Sequence, residues 1–149
     1  MNKLIVFDWG WTLWNPDKNS LMDGTLEVLE FAKGRGYKIA IACLASDSDV
    51  DRRVKLMQET GVSKYCDSIK ISKIMDKDVL LDGLLREFGV TPEKVTIVDD
   101  RTIRGVSWAA NNGATSVWFQ NGKHREELSP KGKEPDYTIH SLSKILDII

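Results

Sequence analysis

The chain has 149 residues and a mass of 16.8 kDa, the size of one ordinary globular domain. Hydrophobic residues make up 42% and charged residues 29% of the sequence, values that exclude a mainly disordered chain and a coiled-coil rod. The formal net charge of -1 argues against a protein that binds nucleic acid mainly by charge. No apolar run reaches the ~20 residues of a transmembrane helix, and the first apolar stretch is too short for a signal peptide.

The two cysteines and two histidines favour an intracellular protein without a thiol or imidazole metal site. Cys43 and Cys66 lack the spacing of a metal-binding pair. Two reduced thiols are typical of the cytoplasm, with a disulfide as the alternative. His124 and His140 lie far apart in sequence, which argues against a histidine metal site or a Ser-His triad. We therefore expect a cytoplasmic protein that contacts neither membrane nor nucleic acid.

Short apolar runs alternate with helical patterns along the chain. In chain order, the sequence predicts a strand at 3–7, a helix at 24–33, a strand at 38–44, a helix at 50–60, a short strand around 69–71, a helix at 78–88, a strand at 95–98, a helix at 104–111, a strand at 115–119 and a short helix at 142–149. Ser141 is a candidate N-cap for the last helix. The polar, lysine-rich segment 121–135 is predicted to be an exposed loop, with a substrate-contacting loop as the alternative.

This alternation predicts an α/β fold, a Rossmann-like three-layer sandwich around a central parallel sheet. In such a sheet the chemistry lies at the carboxyl ends of the strands. Asp8 follows the first strand, Ala45 and Ser46 follow the second, and Asp99 and Asp100 follow the strand at 95–98. Carboxylates that meet at one edge repel each other, and a hard cation such as Mg²⁺ would relieve that repulsion. Asp8 could then act as a nucleophile toward a phosphoryl group.

Four signatures in order resemble the haloacid dehalogenase (HAD) superfamily of aspartate-nucleophile phosphohydrolases. The stretch Asp8-Trp9-Gly10-Trp11-Thr12 resembles its Asp-x-Asp-x-Thr motif. The other three signatures are a Ser or Thr after the next strand, a Lys before a helix, and acids at the end of a later strand, matched here by Ser46, Lys77 and Asp99-Asp100. Nearly the whole chain is covered, and the magnesium-dependent phosphatase branch is the most similar.

The resemblance implies a role for each matching residue. Asp8 would be the nucleophile and form an aspartyl-phosphate, Ser46 would hydrogen-bond the phosphoryl group, and Lys77 would offset the negative charge, with Lys73 as its rival. Asp99, Asp100 or both would hold Mg²⁺ together with Asp8 and the backbone carbonyl of Gly10. Further candidates for contact with the substrate are Ala45, Thr12, Trp9 and Trp11. For the two tryptophans, packing on the first helix or on the loop at 15–20 is the alternative.

Gly10 departs from the family pattern, which has a second Asp at that position. In phosphatases of the family, that carboxylate protonates the leaving group and later activates water, help that is typically worth about 10² to 10⁴ in rate. Three alternatives follow: a weak phosphatase, a phosphotransferase or phosphate-binding protein, or a site in which another carboxylate such as Asp17 or Asp47 takes this role. A dehalogenase is a further alternative.

The length leaves no room for a cap domain, so residues 1–149 are expected to form one capless HAD-like domain. An open site of this kind would accept a phosphorylated small molecule or a phosphoprotein. The sequence therefore predicts a Mg²⁺-dependent phosphatase of phosphomonoesters.

Overall fold

A computed structural model describes residues 3–46, 48–73 and 76–149 of the chain. Its elements, in chain order, are β1 (Leu4–Phe7), β2 (Trp14–Asn15), β3 (Ser20–Leu21), α1 (Thr25–Gly34), β4 (Lys38–Leu44), α2 (Val50–Glu59), β5 (Ser68–Ser72), α3 (Lys77–Phe88), β6 (Val95–Asp99), α4 (Ser107–Asn112), β7 (Thr115–Phe119) and β8 (Tyr137–Ile139). No helix among the described residues is long and apolar enough to cross a membrane.

Six strands form one parallel sheet in the order β5-β4-β1-β6-β7-β8. The central strand β1 is buried on both faces, as its continuous apolar sequence predicts. Its last residue, Phe7, pairs with Ile41 on one side and Val98 on the other. The carboxyl ends of β1, β4 and β6 therefore meet at one edge of the sheet.

Alternating side chains of the sheet build two apolar layers. Ile5 and Phe7 point into a cluster that includes Leu29 of α1. Leu4 and Val6 point to the opposite face, into a cluster that includes Leu81 of α3. The predicted three-layer α/β sandwich is confirmed, and no cap domain is present in the described part of the chain.

Several details of the helices differ from the sequence prediction. Leu26 of α1, Val54 of α2 and Val79 of α3 fit the apolar pattern of their helices in the sequence, but they are 39%, 38% and 44% exposed. The helix expected at 104–111 is a π-helical turn at Thr102–Val106 followed by α4. The predicted C-terminal helix is a 3-10 helix at Leu142–Asp147, in which Leu142 and Ile145 are buried. Ser141 precedes it without a capping hydrogen bond from its side chain.

Candidate active site

Three carboxylates meet where β1 and β6 end. Asp8 follows β1 directly, and its backbone N–H donates to the Val98 carbonyl oxygen at 3.0 Å. Asp99 is the last residue of β6, and Asp100 follows it. Each of the three offers an oxygen within 4.8 Å of the others. The sheet register thus places the predicted acidic cluster in one small volume.

The Lys77 side chain reaches this cluster, although Lys77 lies 69 residues after Asp8 in the sequence. It is the first residue of α3, whose start is capped by Asp76, the acceptor of a 2.9 Å bond from the Val79 N–H. The Lys77 Nζ donates to Asp8 Oδ1 at 2.9 Å and to the Ala42 carbonyl oxygen at 2.5 Å. It also lies 3.6 Å from Asp99 Oδ2. Lys77, rather than its rival Lys73, therefore provides the positive charge beside Asp8.

Burial and mutual repulsion set the charge of the cluster. Burial would raise the pKa of Asp8, but the Lys77 ammonium holds this pKa below its ordinary value. Burial raises the pKa of Asp100 to about 9, and the charges of Asp8 and Asp99 add to that increase. The pKa of Asp99 is also raised, mainly by burial. Burial opposes the charged form of Lys77, yet Asp8 and Asp99 raise its pKa. Asp8 is thus an ionised carboxylate held beside a permanent cation.

The donor set suits a hard divalent cation. Oxygen ligands from one or two carboxylates are what Mg²⁺ prefers in proteins, and a cation would offset the repulsion that raises the pKa of Asp100. Asp99 accepts backbone N–H bonds on both oxygens, from Arg101 at 3.1 Å and Gly105 at 2.9 Å. Asp100 lines the adjoining pocket together with Asp8 and Gly10, whereas Asp99 does not. These positions favour Asp100 over Asp99 as a ligand.

The loop after Asp8 is closed by its own backbone. The N–H groups of Thr12, Leu13 and Trp14 all donate to the carbonyl oxygen of Trp9, at 3.1, 2.9 and 3.0 Å. Trp11 takes a left-handed φ of 61° within this turn. The tight turn separates the two tryptophans that flank Gly10.

The two tryptophans have different environments. Trp9 is 1% exposed, stacks on Trp14 with ring centroids 5.7 Å apart and does not line the pocket; its contact with a substrate stays a prediction. Trp11 lines the pocket, and its backbone oxygen accepts a 2.8 Å bond from Asn121 Nδ2. Strict alternation along an extended backbone would place both rings on one side, but the turn directs them to different environments.

Thr12 is also removed from the pocket. It is 0% exposed, and its Oγ1 has no hydrogen-bond partner within the described residues. This side chain does not line the pocket, and its contact with a substrate stays a prediction. The residue occupies the interior of the closed loop instead.

The pocket beside Asp8 has a volume of about 310 Å³. It is lined by Asp8, Gly10, Trp11, Pro16, Leu44, Arg53, Asp100, Arg101, Arg104, Lys123 and His124. Ala45 and Ser46 follow β4 at the same edge but do not line it, and the exposed Ser46 Oγ lies 3.4 Å from Ser48 Oγ. Pro16 lines the pocket, whereas the neighbouring Asp17 does not. Asp47 lies outside the described residues.

Sequence reasoning missed the basic residues of this pocket. Arg101 and Arg104 follow the acidic pair directly, and Lys123 and His124 lie in the segment considered as a possible substrate-contacting loop. Glu127 ties the two segments together: it accepts from Arg101 Nε at 2.8 Å and from Thr102 Oγ1 at 3.0 Å. The sequence feature that could have predicted these residues is the concentration of positive charge immediately after Asp99-Asp100 and within 121–135.

Comparison with known proteins supports the same assignment of the fold. A HAD-hydrolase-like family model matches residues 77–145. A glyceraldehyde 3-phosphate phosphatase of Pyrococcus furiosus is 38% identical over 66 residues, which are 44% of this chain and 27% of that protein. The match thus spans only about a quarter of the length of this relative.

Solved structures match nearly the whole chain. A protein of Haemophilus somnus described as a predicted phosphoglycolate phosphatase has a TM-score of 0.80 and 15% identity, covering 99% of this chain and 97% of that one. A protein of Bacillus subtilis described as a HAD hydrolase, YfnB, bound to magnesium, has a TM-score of 0.77 and 10% identity, covering 99% and 98%. At these identities the likeness establishes the fold.

Proposed function

The chain belongs to the HAD superfamily, and from this premise we propose that it is a Mg²⁺-dependent phosphatase that acts on phosphomonoesters through Asp8. The single observation that carries the proposal is the Asp8 carboxylate, ionised beside the buried Lys77 ammonium at 2.9 Å and open to a pocket. The P. furiosus relative is itself a phosphatase. Free cysteines at positions 43 and 66 accord with the cytoplasmic location that we also propose.

In the proposed reaction, the Asp8 carboxylate attacks phosphorus and the ester P–O bond breaks, which leaves an aspartyl-phosphate and an alkoxide that takes a proton from water. A water molecule then attacks the aspartyl-phosphate, which regenerates Asp8 and releases inorganic phosphate. Lys77 stays beside Asp8 in both steps and offsets the negative charge on the equatorial oxygens. Ser46 remains a candidate donor to the phosphoryl group.

Mg²⁺ would be held by Asp8, by Asp100 or Asp99, and by the Gly10 carbonyl oxygen, and it would neutralise charge on the phosphoryl group. Since Gly10 provides no carboxylate, we expect slow turnover, with water or the substrate supplying the proton. A Cβ built on Gly10 meets no heavy atom within 4 Å. The missing carboxylate could therefore be restored by Gly10→Asp without a steric clash at Cβ.

The test compares the wild type with Asp8→Asn and Gly10→Asp in hydrolysis of p-nitrophenyl phosphate, with Mg²⁺ present. We expect slow turnover by the wild type, none by Asp8→Asn, and an increase of about 10²-fold or more for Gly10→Asp. Asp51→Asn, in the first turn of α2, is the matched control and should retain the wild-type rate. Asp17→Asn tests whether Asp17 replaces the missing acid, and we expect it to have no effect.

Two results would count against the phosphatase. Turnover by Gly10→Asp alone would favour a catalytically weakened protein that binds a phosphorylated ligand. Absence of turnover by every variant, on sugar phosphates, nucleotides and phosphopeptides as well, would reject phosphatase activity altogether.

A further inference from the structure

One wall of the pocket is built from four positively charged side chains and one histidine, which come from three separate segments. Arg53 comes from α2, Arg101 and Arg104 from the turn after β6, and Lys123 and His124 from the loop after β7. We call these five residues the cationic wall. They share the pocket with Asp8 and Asp100, so a substrate bound at Asp8 would face them. Like charges gathered in one pocket repel each other, and an anion bound there would relieve that repulsion.

Only part of this charge is neutralised by the protein. Arg101 pairs with Glu127 at 2.8 Å. Arg53 lies 3.9 Å from Asp49, a carboxylate that it shares with another arginine. Arg104 and Lys123 have no carboxylate within 4.0 Å in the described ranges of the chain. Among the residues that the structure describes, nothing neutralises these two cations, and they can bind an anion from solution.

His124 lies within the positive field of its neighbours. Burial lowers its pKa, and the charges of Arg101, Lys123 and Arg104 lower it further. Its Nδ1 lies 3.9 Å from Glu127 Oε2. The side chain is thus a neutral, polar part of the wall at physiological pH, and it adds hydrogen bonding without adding charge.

The transferred phosphate does not require the cationic wall, because the proposed function already gives it Lys77 and Mg²⁺ at the Asp8 end. A pocket of about 310 Å³ is at the lower end of the size that suits small ligands. Resting on that proposed function, we infer that the substrate is a small phosphate ester with a second anionic group, a carboxylate or a second phosphate, bound by Arg104 and Lys123. An arginine fork fits either group in a bidentate manner.

The test measures binding and hydrolysis separately. Phosphoglycolate and ethyl phosphate have the same chain length and differ in the carboxylate, while ethylene glycol bisphosphate carries the second phosphate. Binding is measured by calorimetry on Asp8→Asn with Mg²⁺, so that no turnover is needed. We expect the doubly anionic esters to bind about 10- to 100-fold more tightly than ethyl phosphate. Comparison of the two doubly anionic esters identifies the preferred second group.

Variants of the wall locate the effect. Arg104→Gln and Lys123→Gln, each in the Asp8→Asn background, should lower the affinity for the doubly anionic esters by about tenfold and leave that for ethyl phosphate within a factor of about two. Arg86→Gln in α3 and Lys131→Gln in the same loop as Lys123, neither of which lines the pocket, are matched controls. They should change neither affinity.

The outcomes separate this inference from the proposed function. Equal affinity for all three esters, or an equal loss for all of them in Arg104→Gln, would overturn the second anion site even if the wild type hydrolyses p-nitrophenyl phosphate. Conversely, a preference for doubly anionic esters that depends on Arg104 and Lys123 supports the site, even if no ester is hydrolysed and the phosphatase proposal fails.

Discussion

Lys77→Met isolates the energetic role of the buried ammonium. Methionine keeps most of the length and apolar stem of lysine but removes its charge. The Lys77 side chain is 5% exposed, and its partners Asp8 and Asp99 are 15% and 1% exposed. In the described part of the chain, no other basic side chain forms an ion pair with either carboxylate. The substitution therefore leaves buried negative charge without a counter-charge.

The expected loss follows from burial. Removal of one partner of a buried ion pair costs about 3–5 kcal/mol. The pair of Lys70 and Glu87 is a matched control, since its atoms are 3.0 Å apart but its side chains are 46% and 38% exposed. Lys70→Met should cost less than about 1 kcal/mol. The N–O distances in the two pairs are nearly equal, so the difference between the two losses of unfolding free energy measures the effect of burial.

The assay is urea denaturation of the wild type and both variants in metal-free buffer at pH 7.5 and pH 5. Without Lys77, burial should raise the pKa of Asp8 above its unfolded value. The folded variant then gains from a protonated Asp8 at low pH and loses that gain as pH rises. The loss of unfolding free energy in Lys77→Met, relative to the wild type, should therefore be larger at pH 7.5 than at pH 5. A loss no greater than that of Lys70→Met at both pH values would refute this account of the buried pair.

Three further predictions concern the metal site, the pocket loop and the buried thiol. Because the pKa of Asp100 is raised to about 9, the folded state holds a proton that the unfolded chain releases. The free energy of unfolding without metal, measured by urea titration, should therefore fall between pH 5 and pH 9. Mg²⁺ should reduce this fall, and Asp100→Asn should weaken the effect of Mg²⁺. Gly122→Ala would place a Cβ 2.5 Å from the Trp11 ring at a φ of +65°, and it should lower the free energy of unfolding by about 1–3 kcal/mol. Gly132→Ala, at a φ of +78° with no heavy atom within 4 Å of the added Cβ, should lower it less. Burial raises the pKa of the Cys43 thiol to about 11, so iodoacetamide at pH 8 should label Cys43 only after denaturation. Rapid labelling of Cys43 in the native protein would contradict its burial.

Much of the architecture can be predicted from the sequence because local pattern and burial agree. The strands Lys38–Leu44 and Thr115–Phe119 have the predicted bounds, since parallel strands covered on both faces are continuous apolar runs. Asp8 and Lys77 lie 69 residues apart, yet the order of the family motifs predicts that they belong to one site. Such features depend on residue type and order alone.

Other features depend on contacts that no local pattern encodes. Trp9 and Trp11 have the same residue type and nearly the same position, but one is stacked in the core and the other lines the pocket, because the turn between them has a left-handed φ at Trp11. The cationic wall likewise brings together the turn after β6 and the loop after β7, which Glu127 joins by hydrogen bonds. Side-chain direction and the meeting of distant loops are set by three-dimensional packing. The sequence by itself therefore determined the sheet, the candidate nucleophile Asp8 and the lysine beside it, whereas only the tertiary structure decided which side chains line the pocket.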